Sequence, residues 1–239
     1  VWRTVKGGSR EYVSQITARL KDRIEAKTTI NSVKRDAGGV IINVKGQGDI
    51  WYDRVIMAAH ADESLKLLSD ASEQEMQILR AFRFSENHVI LHSDDRLMPK
   101  RKRAWAAWNY LSDDEKNLCT TYWMNRLQHI DMSTPLFTTL NPPVEPHDAL
   151  VHAKFLYHHP IFDKRSFLAQ QQLAGIQGQN HIFWCGAWTA NGFHEDGLKS
   201  AVAVAKTLNI SIPWDSPTKG YRKDQLETAL PVDDAAGLF

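Results

Sequence analysis

The chain has 239 residues, 43% of them hydrophobic and 24% charged, and a formal net charge of +1. That balance belongs to a globular protein long enough to bury a core, and it creates no global field for nucleic acid or a membrane surface. No apolar run approaches the roughly 20 residues that a membrane span needs.

The opening, VWRTVKGGSREYV, has neither an initiator Met nor a signal-peptide pattern, so the chain is read as starting inside a longer, cytoplasmic gene product. After a short apolar piece over 1–5, Gly7-Gly8-Ser9 turns the chain and Ser9 is placed to cap a helix. Tyr12, Val13, Ile16, Leu20 and Ile24 recur at helical spacing through 11–24. A strand over 28–34 leads into a meander of strands at 40–44, 50–52 and 54–57, with Gly38-Gly39 and Gly46-Gln47-Gly48 as turns. Gly46-Gln47-Gly48 is no dinucleotide fingerprint, because the third glycine is missing and a strand follows instead of a helix. Helices are expected over 61–69 and 73–82, the second with Met76, Leu79 and Phe82 on one face. Strands follow at 84–92, 104–110, 120–127, 136–140 and 151–157, then a helix over 164–176 that ends at Gly178. Lys100-Arg101-Lys102-Arg103 reads as a solvated loop.

The run Ile182–Cys185 reads as a buried strand that Gly186 ends. A loop with Gly192 and Gly197 leads to a helix whose apolar residues Leu198, Ala201, Val202, Ala205 and Leu208 fall on one face. Glu195 and Asp196 stand at its start, where carboxylates suit the positive end of the helix dipole. Strand, glycine loop and helix together present backbone N–H groups at one point, a geometry that receives an electron-rich ligand group. The same spacing also describes a plain strand–loop–helix connection. Beyond Pro213 the sequence is polar and reads as a tail or linker.

Histidines cluster at 147, 152, 158, 159, 181 and 194, but no HxxxH or HExxH pair shares a helix, and His158 and His159 alternate across a strand. No metal site is assigned. GxSxG and P-loop motifs are absent, so neither covalent acyl chemistry nor nucleotide hydrolysis has support. Cys119 and Cys185 form no CxxC pair, and Cys185 reads as a buried thiol.

Cys185-Gly186-Ala187-Trp188, followed by Gly192-Phe193-His194-Glu195-Asp196-Gly197-Leu198, resembles the C-terminal flavin-binding motif of the FAD-dependent amine oxidase superfamily. The similar branch is that of NAD/FAD-binding, amine-oxidase-like proteins associated with cyclopropane fatty acid synthases. Leu91-His92-Ser93-Asp94, Ala104–Tyr110, Thr121–Gln128, Thr139-Leu140-Asn141-Pro142 and Tyr157-His158-His159-Pro160 carry the same resemblance in matching order over roughly residues 5–214. It implies FAD as cofactor, with Ile30 at the adenine and the Gly186–Ala187–Trp188 loop near the pyrophosphate and ribityl chain. The N–H groups near Gly197 and Leu198 would meet the flavin edge where negative charge develops. Where many amine oxidases carry Glu, this chain has Ala187, so only a backbone role is expected there. The family's N-terminal GxGxxG unit is absent, which implies an upstream FAD-binding half as partner.

The fold class so implied is α+β or α/β: a mixed, largely antiparallel sheet of a substrate domain plus the strand and helix that complete a Rossmann-like FAD-binding domain. The expected division is a returning FAD-domain segment at 1–60, a substrate domain at 61–178, a C-terminal FAD-binding strand and helix at 179–212, and a tail or linker at 213–239. The implied activity is hydride transfer from a small, apolar and lipid-like substrate to flavin N5. Trp105, Trp108, Tyr110, Tyr122 and Trp123 are candidates for the substrate pocket, with core packing as the alternative for each. No catalytic side chain is assigned. The other functional reading is a binding or scaffold module without catalysis. The chain alone is expected to bind FAD weakly and to aggregate through an open apolar edge at Ile182–Cys185.

Overall fold

Turn residues and apolar alternation divide the first third of the chain as the sequence predicts. The computed structural model describes residues 4–112, 118–212 and 214; the expected tail or linker falls, apart from Trp214, outside them. Helix α1 (Arg10–Leu20) runs into a 3-10 turn at Lys21–Arg23. Strands β1 (Ile30–Asp36), β2 (Gly39–Val44) and β3 (Gly48–Tyr52) form one sheet in that order. Then come β4 (Val55–Met57), α2 (Ala61–Leu67), α3 (Glu73–Leu79), β5 (Arg83–His92), β6 (Trp108–Ser112), β7 (Leu118–Trp123), α4 (Met124–Gln128) and β8 (Phe137–Leu140). The described elements close with β9 (Val151–Ile161), α5 (Lys164–Gln172), β10 (Ile182–Trp184) and α6 (His194–Thr207). The architecture is mixed α+β with largely antiparallel sheets, as expected.

Two compact units interleave along the chain. Unit 1 takes residues 1–31, 43–48 and 80–167, and unit 2 takes 32–42, 49–79 and 168–239. Unit 1 is built on a five-stranded antiparallel sheet in the order β6-β7-β8-β5-β9. β9 runs on past the expected end at Tyr157 to Ile161, and Pro160 is tolerated because β9 is an edge strand that needs no outward N–H bond. β7 ends at Trp123, short of the expected 127. There α4 begins, and the buried Asn125 fastens the following loop: its Nδ2 donates to the Asp131 and Thr134 carbonyls, and its Oδ1 accepts from Leu136 N–H at 2.7 Å. β6 begins at Trp108 and not at residue 104, because Lys102–Ala104 forms a 3-10 turn and Trp105 Nε1 donates to the Pro99 carbonyl at 2.8 Å. Helix α1 forms where its spacing predicts, yet Tyr12, Val13, Ile16, Leu20 and Ile24 are all 40–55% exposed. Ser9 supplies it with a backbone carbonyl, which accepts from Val13 N–H at 3.1 Å, and not with a side-chain cap.

In unit 2, β10 pairs in parallel with β4, Phe183 opposite Ile56. The expectation of a strand without parallel neighbours is therefore corrected. Cys185 N–H donates to the Met57 carbonyl at 3.1 Å, so by strand alternation the N–H and C=O of Trp184 face the other edge. That edge is closed too. Trp184 N–H donates to Gln177 Oε1 at 2.9 Å, Gln177 Nε2 donates to the Trp184 carbonyl at 2.6 Å, and Gly178 N–H donates to the Ile182 carbonyl at 2.9 Å. All three β10 residues are buried, so no open apolar edge remains there. Unit 2 also locks β1 to the α2–α3 segment. Arg35 Nη1 meets Asp70 Oδ1 at 2.9 Å, Arg35 Nη2 meets the buried Glu75, and Glu75 Oε2 accepts from Ser72 N–H at 2.8 Å.

Candidate functional site

Two regions, one in each unit, hold the residues to which the sequence points. The first is the β10–loop–α6 segment of unit 2. Gly186 sits at φ 147°, and a Cβ there would lie 2.6 Å from Trp188 Nε1, so glycine is required by both backbone and packing. Its N–H donates to Ser200 Oγ at 2.9 Å, and Ser200 Oγ donates to the Gly197 carbonyl at 2.7 Å. Trp188 is buried and its Nε1 donates to the Ala59 carbonyl at 3.1 Å, which ties the loop to the end of β4. At Gly197 a Cβ would stand 3.7 Å from Ala187 N, ordinary contact, so the helix lies directly on the loop backbone. Gly186, Ala187, Trp188 and Gly197 are thus brought together. Ile30 lies at the start of β1 in unit 1, partly exposed, and Leu198 is exposed on α6.

The buried side of α6 differs from the expected stripe. Of that stripe Leu198 and Ala201 are exposed and Val202, Ala205 and Leu208 are half-buried, and Asp196, Gly197, Ser200 and Val204 turn inward as well. Small residues at 197 and 200 allow the close approach, and Val204 packs with Phe183, Cys185 and Leu208. The helix begins at His194, and Asp196 Oδ2 accepts from Asn191 N–H at 3.2 Å and Phe193 N–H at 3.1 Å, half of a capping box. Gly197 N–H donates to the Phe193 carbonyl at 3.2 Å and is already used. The first-turn N–H groups of α6 are therefore those of His194 and Glu195, one turn ahead of the expected Gly197 and Leu198. The acidic residue at the third helical position was the available signal for that start. The residues present fit a flavin or phosphate group recognised through backbone N–H groups, those of Ala187 and of the α6 start, and not through a side chain.

The second region is the five-stranded sheet of unit 1. Cross-strand partners share a face. Trp108 opposite Tyr122, Tyr110 opposite Thr120, Thr138 opposite Leu91, and Val89 opposite Phe155 therefore follow one another across one side, with Tyr157 beside them. On this side Trp108 and Tyr110 are 61% and 59% exposed, and Phe155 and Tyr157 are exposed as well. Trp108 stacks on Tyr122 with centroids 5.7 Å apart, and Phe155 stacks on Tyr157 at 5.6 Å. Trp105 and Trp123 belong to the other side, edge to face at 5.3 Å, with Trp105 also against the buried Phe137. The five aromatic candidates thus separate into three on the open face and two, half-buried, on the covered side. Phe155 and Tyr157 join the open face, and their alternation with His159 along one strand was the signal that marks them.

The covered side carries Asn109, Cys119, Thr121, Thr139, Ile90 and His92, all buried. Asp94 N–H donates to His92 Nδ1 at 3.1 Å, so the neutral ring holds its proton on Nε2. Nε2 donates to Thr139 Oγ1 at 2.7 Å, and the Thr139 hydroxyl then donates to Thr121 Oγ1 at 2.8 Å. Burial pushes the His92 pKa down. Arg96 holds the Asp94 carboxyl well below its usual range, and Asp94 Oδ2 also accepts from His147 N–H at 2.9 Å. The Leu91–Asp94 motif is therefore a fastening of the core. A cavity of about 370 Å³ lies on this side too, lined by Leu97, Leu111, Cys119 and Val144, away from the open aromatic face.

Both cysteines are buried and neither forms a disulfide, and burial raises the Cys185 pKa. Among the described residues no group of three or more His, Cys, Asp or Glu could hold a metal ion. No described helix is long and apolar enough to cross a membrane.

The family model described as flavin containing amine oxidoreductase matches residues 1–143. No curated protein matches the chain. Among solved structures, a putrescine oxidase bound to putrescine aligns with TM-score 0.60 and 12% identity over 85% of this chain and 53% of its own. A CLA-producing fatty acid isomerase from P. acnes gives 0.58 and 13%, over 85% and 52%. Cyclohexylamine oxidase from Brevibacterium oxydans gives 0.54 and 12%, over 84% and 53%. At these identities the likeness is one of fold, and the chain spans about half the length of the structures it matches.

Proposed function

Because the chain belongs to the flavin containing amine oxidoreductase family, we propose that it forms part of an FAD-dependent oxidoreductase that takes a small apolar substrate. The observation that carries this reading is the open aromatic face of unit 1, exposed where a sheet face ordinarily stays covered or polar. When bound, FAD supplies the hydride acceptor at N5. In unit 2 the first-turn N–H groups of α6, at His194 and Glu195, serve an electron-rich ring edge, and the Ala187 N–H serves the linking chain. Gly197 admits that contact by letting the helix lie on Ala187, and Gly186 with Trp188 holds the loop in place. In unit 1, Trp108, Tyr110 and Tyr122 offer flat apolar area to the substrate, and stacking on Tyr122 fixes the Trp108 ring. We further propose that the pyrophosphate is held by an upstream half with its own GxGxxG unit.

Titration with FAD, read by visible absorbance, tests this. The 239-residue chain alone should bind weakly, because only backbone contacts of modest strength serve the cofactor, and adding the upstream half should give a stoichiometric yellow complex. A full-length protein that stays colourless with added FAD would end the redox reading. Stoichiometric binding by the chain alone would put the main anchor inside these residues.

A further inference from the structure

We propose that His159 is the residue that recognises the head group of an apolar carboxylic acid whose chain lies along Tyr157 and Phe155. The inference rests on the reading of the open face as the substrate surface and extends it by naming the substrate class.

A backbone N–H can only donate, so its direction admits no choice. His88 N–H donates to Asn141 Oδ1 at 3.0 Å, which fixes the amide of Asn141. Asn141 is held further by its own N–H, which donates to the His88 carbonyl at 2.8 Å, and by a left-handed backbone at φ 49°. Its Nδ2 must therefore be the group that faces Asn87 at 2.8 Å, and the Asn87 atom facing it must be Oδ1. That turns Asn87 Nδ2 toward His159 Nδ1 at 3.0 Å and toward the Ser85 carbonyl at 3.0 Å. An amide NH₂ only donates, so Nδ1 is an acceptor and the neutral ring keeps its proton on Nε2. The His88 N–H and the two amide side chains of Asn141 and Asn87 thus fix a single tautomer on an exposed residue. A ring held only for packing against Tyr157 would need no such chain.

His159 stands at one end of a row. It meets Tyr157 edge to face at 6.3 Å, and Tyr157 stacks on Phe155. From 155 to 159 the strand rises about 14 Å at the usual step per residue. Ser85 lies opposite His159, and Arg83 lies opposite Ile161 on the same face, its Nη2 2.8 Å from Asp163 Oδ2. One end of the row therefore offers the oriented Nε2–H of His159 beside the Arg83–Asp163 ion pair, and the other offers aromatic surface. An elongated apolar molecule with a strong hydrogen-bond acceptor at one end matches that order, and a carboxylate is the strongest acceptor for a single fixed N–H.

The test titrates the full 239-residue chain with decanoate and with decanol, below their aggregation limits, and reads tryptophan fluorescence. His159→Phe keeps a ring on Tyr157 and removes Nε2–H. It should weaken decanoate binding about tenfold, the loss expected for a hydrogen bond to a charged group, and change decanol binding less than about twofold. His159→Gln, which returns an amide donor, should recover part of the decanoate affinity, and circular dichroism confirms that each variant is folded. Equal weakening of both probes by His159→Phe would reduce the residue to packing and overturn the inference. Decanoate binding that ignores both variants would overturn it as well, leaving the open face as an apolar surface. If neither probe binds the wild-type chain, the reading of the face falls and this inference falls with it.

Discussion

The two faces of the five-stranded sheet invert the usual pattern. The covered face buries a polar row of His92, Thr121, Thr139 and Asn109 among Ile90, Cys119 and Phe137, and the open face carries the aromatics Trp108, Tyr110, Tyr122, Phe155 and Tyr157. The covered face tolerates its polarity because its groups have partners in a fixed order: Asp94 N–H to His92, His92 to Thr139, Thr139 to Thr121. The open face buries Val89 and Thr120 at its middle and keeps Trp108, Tyr110, Phe155 and Tyr157 exposed on either side of them. Burial and function are thus separated on one element, and the separation is measurable.

The largest effect should come from breaking the covered face. Thr139→Val strands the His92 Nε2–H and removes the donor to Thr121, both buried. Urea unfolding should show a loss of about 3 kcal/mol, the cost of leaving two buried polar groups unpaired. Trp108→Ala on the open face should cost under about 1 kcal/mol in the same experiment, as for surface changes generally. Comparable losses from the two variants would erase the distinction between the faces.

A second, smaller effect is acid sensitivity confined to the covered face. His92 has a folded pKa pushed below its ordinary 6.5, chiefly by burial, so the unfolded chain binds the proton first. Stability is then full above about pH 6.5 and falls as pH drops below it. Asp94 acts in the same sense lower down: held low by Arg96, its contribution is present above the ordinary 3.8 and lost as pH falls below that value. Urea midpoints measured from pH 8 to pH 5 should decline, and the decline should be shallower in His92→Phe. An unchanged slope in that variant would assign the acid sensitivity to other histidines.

Much of this arrangement is legible in the sequence, and what is not has identifiable causes. The strand at Ile182, the glycine break at Gly186 and the helix after it follow from an apolar run and helical spacing, and the structure has them. The buried side of α6 departs in part from the apolar stripe because Gly197 and Ser200 lie against the loop, and small residues are invisible to an apolar periodicity. Asn125 ends β7 through three bonds to a loop several residues on, which no local propensity records. The division of Trp105, Trp108, Tyr110, Tyr122 and Trp123 between two faces depends on the register of β6, β7 and β8, and register is a property of pairing. Gln177 closes the free edge of β10 with a side chain, so an edge that reads as open is not.

The central claim, that the open face is a ligand surface and not a folding surface, is tested most directly by one comparison of variants. Nile red, an uncharged apolar dye, is titrated into the wild-type chain and into the Trp108→Ala, Tyr157→Ala double variant, with urea midpoints measured alongside. Dye affinity should fall at least about fivefold, the scale of losing aromatic contact area, while the midpoint shifts little. Unchanged affinity, or a fall in affinity matched by a large loss of stability, would contradict the account.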